Sequence, residues 1–289
     1  MRILILGHRG MLGSDLMSRL GGDHEVVGKD IEDFDLTSFA SVRDVVEEAR
    51  PEVLINAAAY TDVDGAERDE TRCFAVNALG VENVVRACGP LAVCVVHIST
   101  DYVFDGTKGS PYTEEDSPSP LGVYARSKAE GERILISGGG DYLLIRTAWL
   151  YGRHGRNFVR TILDKARAEG RLAVVSDQFG SPTWSWDLAG AIKHLLENNH
   201  RGIFHVTNRG SCSWYDFACK ILSYAGLEGV KVEAIPSSRL DRPAPRPPYA
   251  VLSGRKFNTV TGRTMRPWQL ALREFVAKMA RNGVMNDLT

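Results

Sequence analysis

Tyr124 and Lys128 stand four residues apart in the run YARSKAEGE, a spacing that puts both on one face of a helix. A phenol with an ordinary pKa near ~10 is a poor acid or base at neutral pH. An ammonium beside it stabilises the phenolate and draws that pKa down, and the same ammonium can hold ribose hydroxyls. By itself the spacing says little, because amphipathic helices often carry Tyr and Lys this way. It gains meaning from Ser99-Thr100, which closes an apolar, β-branched run. In an open α/β sheet the carboxyl end of such a strand borders the ligand crevice, so the Thr100 hydroxyl can hold a carbonyl in place for hydride transfer.

A second group of residues fits a dinucleotide. Gly7, Gly10 and Gly13 form a GxxGxxG after an apolar run and before a helical one. The first glycine permits a tight turn, the second admits a pyrophosphate to the backbone N–H groups, and the third lets the helix sit close to the strand. Met11 and Leu12 open that helix, whose first turn offers unpaired donors and partial positive charge. Cofactor choice rests on the end of the second strand. Asp30 and Glu32 suit a ribose 2′-OH, whereas Arg9 and Lys29 suit a 2′-phosphate. Arg9 lies inside the loop, which favours NADP(H) and leaves NAD(H) open.

These residues need a scaffold, and the hydrophobic pattern describes one. Apolar runs at 2–6, 25–28, 53–55, 92–98 and 142–146 read as short strands. Helical periodicity at 11–20, 38–50, 66–88 and 124–135 alternates with them. Continuous apolar strands joined by helices predict a doubly wound parallel sheet of the Rossmann type over residues 1–150. Residues 151–289 read mainly as a smaller, discontinuous α/β substrate lobe with segments returning to the first domain. Its helices are expected at 157–169, 186–197, 214–225 and 267–279, and its strands at 172–175, 203–206 and 232–235. The proline-rich stretch from 236 to 252 reads as a loop.

Composition narrows the function classes. The 35 Lys and Arg nearly cancel the 36 Asp and Glu, which gives no electrostatic case for nucleic-acid or membrane-surface binding. The N-terminal apolar run is too short for a signal peptide or a span. The five cysteines form no CxxC and no zinc spacing, so a reducing cytoplasm is the expected address. Cys73, Cys88 and Cys94 read as small core residues. His97 reads as a core histidine, Asn77 as a holder of neighbouring backbone, and Trp184, Trp186 and Trp214 as packing or interface.

The set GHRGMLG, NAAAYTDVDGAE, STDYVFDG, YARSKAEGE and RTAWLYG resembles the extended short-chain dehydrogenase/reductases. Within them it is most similar to the dTDP-4-dehydrorhamnose reductase branch, and SDQFGSPT and RPAPRPPYAVLSGRKF extend the likeness over nearly the whole chain. The resemblance implies hydride delivery from NAD(P)H to C4 of a nucleotide keto sugar. Tyr124 would donate the proton, Lys128 would tune it and hold the ribose, and Thr100 would orient the carbonyl. It implies that Ala57, Ala58, Ala59, Tyr60 and Thr61 line the cofactor, that Asp35 and Leu36 flank the adenine, and that Thr147 and Ala148 approach the nicotinamide. Val63, Tyr102 and Trp149 would lie near the sugar. Asn157, Gln178 and Arg246 would serve the nucleotide side, with Arg242 and Lys256 as weaker candidates. An arginine there suits a diphosphate, which takes bidentate donors.

Some relatives use Mg²⁺ at a dimer contact, which leaves the metal unassigned and a homodimer open. The GHRG run is also similar to GDP-keto-deoxysugar epimerase-reductases. A talose-forming or GDP-sugar reductase therefore stays open, as does a non-catalytic regulatory subunit on the same fold, although an intact Thr100, Tyr124 and Lys128 argues against the last.

Overall fold

The apolar runs become strands because both of their faces are covered. In the computed structural model, which describes residues 1–281, Arg2–Leu6, Glu25–Lys29, Val53–Asn56, Cys94–Thr100 and Tyr142–Thr147 form strands β1 to β5. Together with Gly202–His205 they make a six-stranded sheet, in the order Gly202–His205, β5, β4, β3, β1, β2. Every pairing in it is parallel. Successive side chains take opposite faces. Ile3, Ile5, Ile55 and Val96 pack with residues of the Met11–Leu20 and Ser185–Glu197 helices. Leu4, Leu6, Leu54 and Val95 pack with the Phe39–Ala49 and Gly80–Cys88 helices on the other side. Each such aliphatic side chain stabilises the fold by about 1.5–3 kcal/mol relative to exposure.

The strand order reverses between β1 and β3, which places the ligand crevice outside their carboxyl ends. The glycine loop leaves β1 at this point, and residues 57–60 leave β3 beside it.

The single helix expected over 66–88 is interrupted. It appears as Val63–Ala66, Glu70–Phe74, a π-helical turn Ala75–Leu79 and Gly80–Cys88. Two acidic caps set its pieces, Asp62 before an earlier start and Asp69 within the expected span. The Asp62 carboxylate accepts from Gly65 N, and that of Asp69 accepts from Arg72 N. Each restarts the chain by satisfying N–H groups that a continuous helix would otherwise pair.

A second core gathers Tyr151, Val159, Leu163, Trp184, Phe217, Trp268 and Phe275. Beside it, Arg171–Val175 pairs in parallel with Lys231–Ile235. The Ser185–Glu197 helix and the Gly202–His205 strand return to the first sheet. The region from 236 to 252 carries only one 3-10 turn, Ser237–Arg239, and two isolated bridges. The Arg255–Thr261 helix lies where no helix was expected. The expected lobe of residues 151–289 ends in eight residues outside those described. No helix among the described residues is long and apolar enough to cross a membrane.

Candidate active site

The glycine cradle comes first because backbone alone builds it. Gly7 has φ +78°, and a Cβ there would lie 2.8 Å from Ala58 N. A Cβ on Gly13 would fall onto the Gly7 carbonyl and 2.7 Å from His8 Cα. The loop is thus wedged between the chain leaving β3 and the first turn of the helix. Gly10 caps that helix without a side-chain hydrogen bond, so the N–H groups of Met11, Leu12 and Gly13 are free for an anion. The cradle has the shape and donor set a dinucleotide pyrophosphate needs.

Asp30 accepts the Arg9 backbone N–H at 2.8 Å. The Arg9 guanidinium pairs with Glu32 at 3.0 Å, both side chains being more than half exposed. Farther along the crevice, Asp35 is exposed and binds Thr37, while Leu36 is buried against Gly80.

Asn77 holds the other wall. Its amide accepts from Tyr60 N at 2.9 Å and donates to Tyr60 O and Ser127 Oγ, each at 3.0 Å. Ala58 N donates to Asn56 Oδ1. The segment Ala57, Ala58, Ala59 and Tyr60 is therefore fixed to β3 and, through the π-helical turn, to the helix Val123–Ser137. Such turns often mark functional sites.

Thr100 and Thr147 end β4 and β5 as register partners. Thr147 Oγ1 is buried without a partner, as a group awaiting a ligand would be. The Thr100 hydroxyl donates to Asp101 Oδ1 at 2.9 Å and accepts from Tyr102 N at 3.2 Å. Tyr124 meets Tyr102 edge to face, with centroids 5.9 Å apart. Burial pushes the Tyr124 phenol above its ordinary pKa. The nearby Thr100 hydroxyl opposes that rise, while Asp101 and Tyr102 add to it.

Lys128 departs from the sequence expectation. It is almost fully buried, and its Nζ donates to Ile98 O at 2.6 Å and faces His97 Nε2 at 3.2 Å. Burial brings its pKa down to about 8. Ile98 lies just past the last β3 pairing of β4, and the ammonium takes its carbonyl. Lys128 therefore does not dominate the Tyr124 pKa here; desolvation of the phenol does. Burial also holds His97 neutral, well below its usual range.

Asp101 is the residue the sequence reading missed. Its carboxyl is buried, its Oδ2 has no partner, and burial lifts its pKa to about 7. The signal was present, since an acid next to a strand-ending hydroxyl faces the crevice.

The substrate-side residues divide. Val63 begins the short helix capped by Asp62. Tyr102 is largely buried, which pushes its phenol up to about 12. Gln178 is buried with Oε1 unpartnered, so it can still accept a hydrogen bond. Asn157, by contrast, is used by its own loop. Its Oδ1 accepts from Arg160 N, and its Nδ2 donates to Gly152 O. Trp149 sits at φ +48° and stacks on Trp214 with centroids 3.4 Å apart. One ring face is thus covered by Trp214, and Gly180 fits against the ring only because it lacks a Cβ. Arg246 makes a two-pronged pair with Asp64, at 2.6 and 2.7 Å. That pair ties the proline-rich stretch to the Val63–Ala66 helix and occupies the guanidinium expected to meet a diphosphate. Arg242 lies nearby, where burial and Arg246 lower its pKa. Lys256 is remote from this cluster and donates to Ile203 O on the edge strand.

Among the described residues no three His, Cys, Asp or Glu side chains gather as a metal-holding group. The Mg²⁺ left open by the sequence has no such set here.

Comparison with known proteins finds similar sequences and folds over nearly the whole chain. A dTDP-4-keto-6-deoxy-D-glucose reductase of Streptomyces niveus is 39% identical over 273 residues, covering 94% of this chain and 95% of the relative. A dTDP-4-dehydrorhamnose reductase of Aggregatibacter actinomycetemcomitans is 38% identical over 289 residues, covering 96% and 98%. The crystal structure of dTDP-4-dehydrorhamnose reductase from Bacillus anthracis in complex with NADP superimposes with a TM-score of 0.93 at 36% identity, covering 96% of this chain and 99% of that one. The family model described as RmlD substrate binding domain matches residues 1–281. The glycine cradle at the strand-order reversal, the two hydroxyls at neighbouring strand ends and the half-buried Tyr124 are thus set in a chain that belongs to the RmlD substrate binding domain family.

Proposed function

We propose that this chain is an NAD(P)H-dependent oxidoreductase that reduces the C4 ketone of dTDP-4-dehydro-L-rhamnose to give dTDP-L-rhamnose. The observation that carries this reading is that Tyr102 links Thr100, which its N–H bonds, to Tyr124, which its ring meets edge to face, at the carboxyl end of β4, beside a cradle shaped for a dinucleotide. The cofactor, when bound, supplies the hydride. The remaining chemistry belongs to side chains. Thr100 donates to the ketone oxygen and fixes its direction. Tyr124 gives its proton to the oxygen as negative charge builds there. A phenol kept protonated by burial is in the correct form for that donation, and an oxyanion forming within reach supplies the driving force. Lys128, anchored on Ile98 O, holds the ribose and adds positive charge to the pocket. Gln178 and, after exchange from Asp64, Arg246 serve the nucleotide diphosphate, with Val63 and Tyr102 beside the sugar.

A second reading has a specific support: the Streptomyces niveus relative, named for a different keto sugar, is as similar as the rhamnose-branch relative. Substrate preference separates the two. Purified protein is mixed with NADPH and dTDP-4-dehydro-L-rhamnose while absorbance of the reduced nicotinamide is followed. The product is then identified by NMR. Cofactor oxidation with a dTDP-L-rhamnose product is expected, and faster turnover of dTDP-4-keto-6-deoxy-D-glucose in a parallel assay would move the chain to the second reading.

NADPH is the favoured cofactor. The Arg9–Glu32 pair is exposed, and such pairs contribute about 0–1 kcal/mol, so a 2′-phosphate readily takes Glu32's place. Arg9→Gln is therefore expected to raise the KM for NADPH about tenfold while the KM for NADH stays within about twofold. Equal effects on both cofactors would remove Arg9 from 2′-phosphate recognition.

A further inference from the structure

Two motif residues have no part in the chemistry above, yet they meet beneath it. Glu132 lies one turn after Lys128 on the Val123–Ser137 helix, and Arg146 precedes Thr147 on β5. Both side chains are only 2% exposed. Arg146 grips the carboxylate with Nε at 3.0 Å from Oε1 and Nη2 at 2.7 Å from Oε2. Ser99, the residue before Thr100, donates to Oε1 at 2.5 Å. Arg146 Nη1 faces His205 Nε2 at 3.3 Å, and His205 Nδ1 faces Tyr112 O at 3.1 Å. Burial and the Arg146 charge hold the His205 pKa down to about 3. A neutral ring in that position accepts from Arg146 and donates to the carbonyl, so the fork has one orientation.

Burying two charges is a poor way to gain stability. Desolvation costs several kcal/mol per ion, and apolar replacements of matching volume are often as stable. What the pair does supply is fixed geometry. With Ser99 it makes a group of three, each neighbouring a site residue: Ser99 adjoins Thr100, Arg146 adjoins Thr147, and Glu132 follows Lys128 by a turn. Ser99 and Arg146 are also register partners across β4 and β5, as Thr100 and Thr147 are.

We infer that Glu132 is a positioning residue of this site. Its carboxylate pins the helix bearing Tyr124 and Lys128 to the two strand ends bearing Thr100 and Thr147, and so sets how phenol and hydroxyl converge on the ketone. This rests on the reductase reading. The groups acting on the Lys128 ammonium are Glu132 on its own helix, and His97 and Cys73 on the elements packed against it. His97 is neutral and burial keeps the Cys73 thiol protonated, so Glu132 is the anion among them.

The test compares wild type with Glu132→Gln, Glu132→Asp and Ser99→Ala in keto-sugar reduction across pH, alongside NADPH titration and thermal melts of the cofactor-free proteins. Misplacing reacting groups by about 1 Å can cost on the order of 100-fold. Glu132→Gln should lower kcat by about 10- to 100-fold with KM within about twofold. Glu132 raises the Lys128 pKa, so losing its charge should move the high-pH limb of kcat/KM to lower pH. Glu132→Asp keeps the charge and should keep the limb while losing part of kcat. Ser99→Ala should lower kcat about fivefold or more without moving the limb. Folded Gln and Ala variants with wild-type kcat and an unmoved limb overturn the inference. If Glu132→Gln does not fold, Ser99→Ala decides: a selective kcat loss supports the tether, and wild-type kcat overturns it. A wild type that binds NADPH yet reduces no keto sugar overturns the reductase reading and the tether together, whereas an active wild type with unaffected variants overturns the tether alone.

Discussion

Tyr124→Phe should lose about 10²- to 10⁴-fold in kcat, the range for removing a positioned general acid, equivalent to about 3–5 kcal/mol of transition-state stabilisation. The fold should not notice. The ring keeps its edge-to-face contact with Tyr102, and the lost hydroxyl is one whose ionised form burial already disfavours. NADPH affinity should stay within about threefold, because the cradle of Gly7, Gly10 and Gly13 is separate backbone. Stopped-flow turnover with and without solvent deuterium, beside a fluorescence titration of NADPH, checks both halves. A variant that reduces the keto sugar at the wild-type rate would show that the proton comes from elsewhere. Asp101 would then be the group to examine, since burial holds it near pKa 7 within reach of Thr100.

The sheet was readable because a parallel strand covered on both faces has to be apolar at every position. Val53–Asn56 and Cys94–Thr100 are buried or nearly so along their whole length. The nucleotide cradle was readable for a related reason: Gly7 and Gly13 occupy places where backbone leaves no room for a Cβ. What stayed hidden depended on partners distant in the chain. Arg246 meets Asp64 across 182 residues, so a cation suited to a diphosphate arrives already paired. Lys128 turns to a strand-end carbonyl that no side-chain pattern advertises. Other features were legible but lost to a stronger signal. Asn157 precedes a helix and caps it, as asparagine often does, although resemblance pointed to substrate. Asp69 is likewise a capping residue inside what apolar periodicity joined into one helix.

Gly13→Ala is the second large effect, and two opposing terms decide its sign. Glycine inside a helix is less favourable than alanine by about 0.8–1.0 kcal/mol, so propensity alone predicts a gain. The new methyl, however, would sit on the Gly7 carbonyl, 2.7 Å from His8 Cα and 2.9 Å from Gly7 C. All of these are backbone atoms. Gly7 cannot retreat, because its own φ of +78° holds it against Ala58 N. The helix must therefore move off the loop, which costs about 1–3 kcal/mol as overpacking does. It also carries the free N–H groups of Met11 and Leu12 away from the pyrophosphate position. Displacement of about 1 Å at such a site costs on the order of 100-fold, and NADPH affinity should fall by about that much. Gly22→Ala is the control: a Cβ there meets nothing within 4 Å, and both stability and affinity should be unchanged. If Gly13→Ala binds NADPH as tightly as Gly22→Ala does, then the cofactor phosphates do not rest on this loop, and the crevice at the β1–β3 reversal is not where the dinucleotide lies.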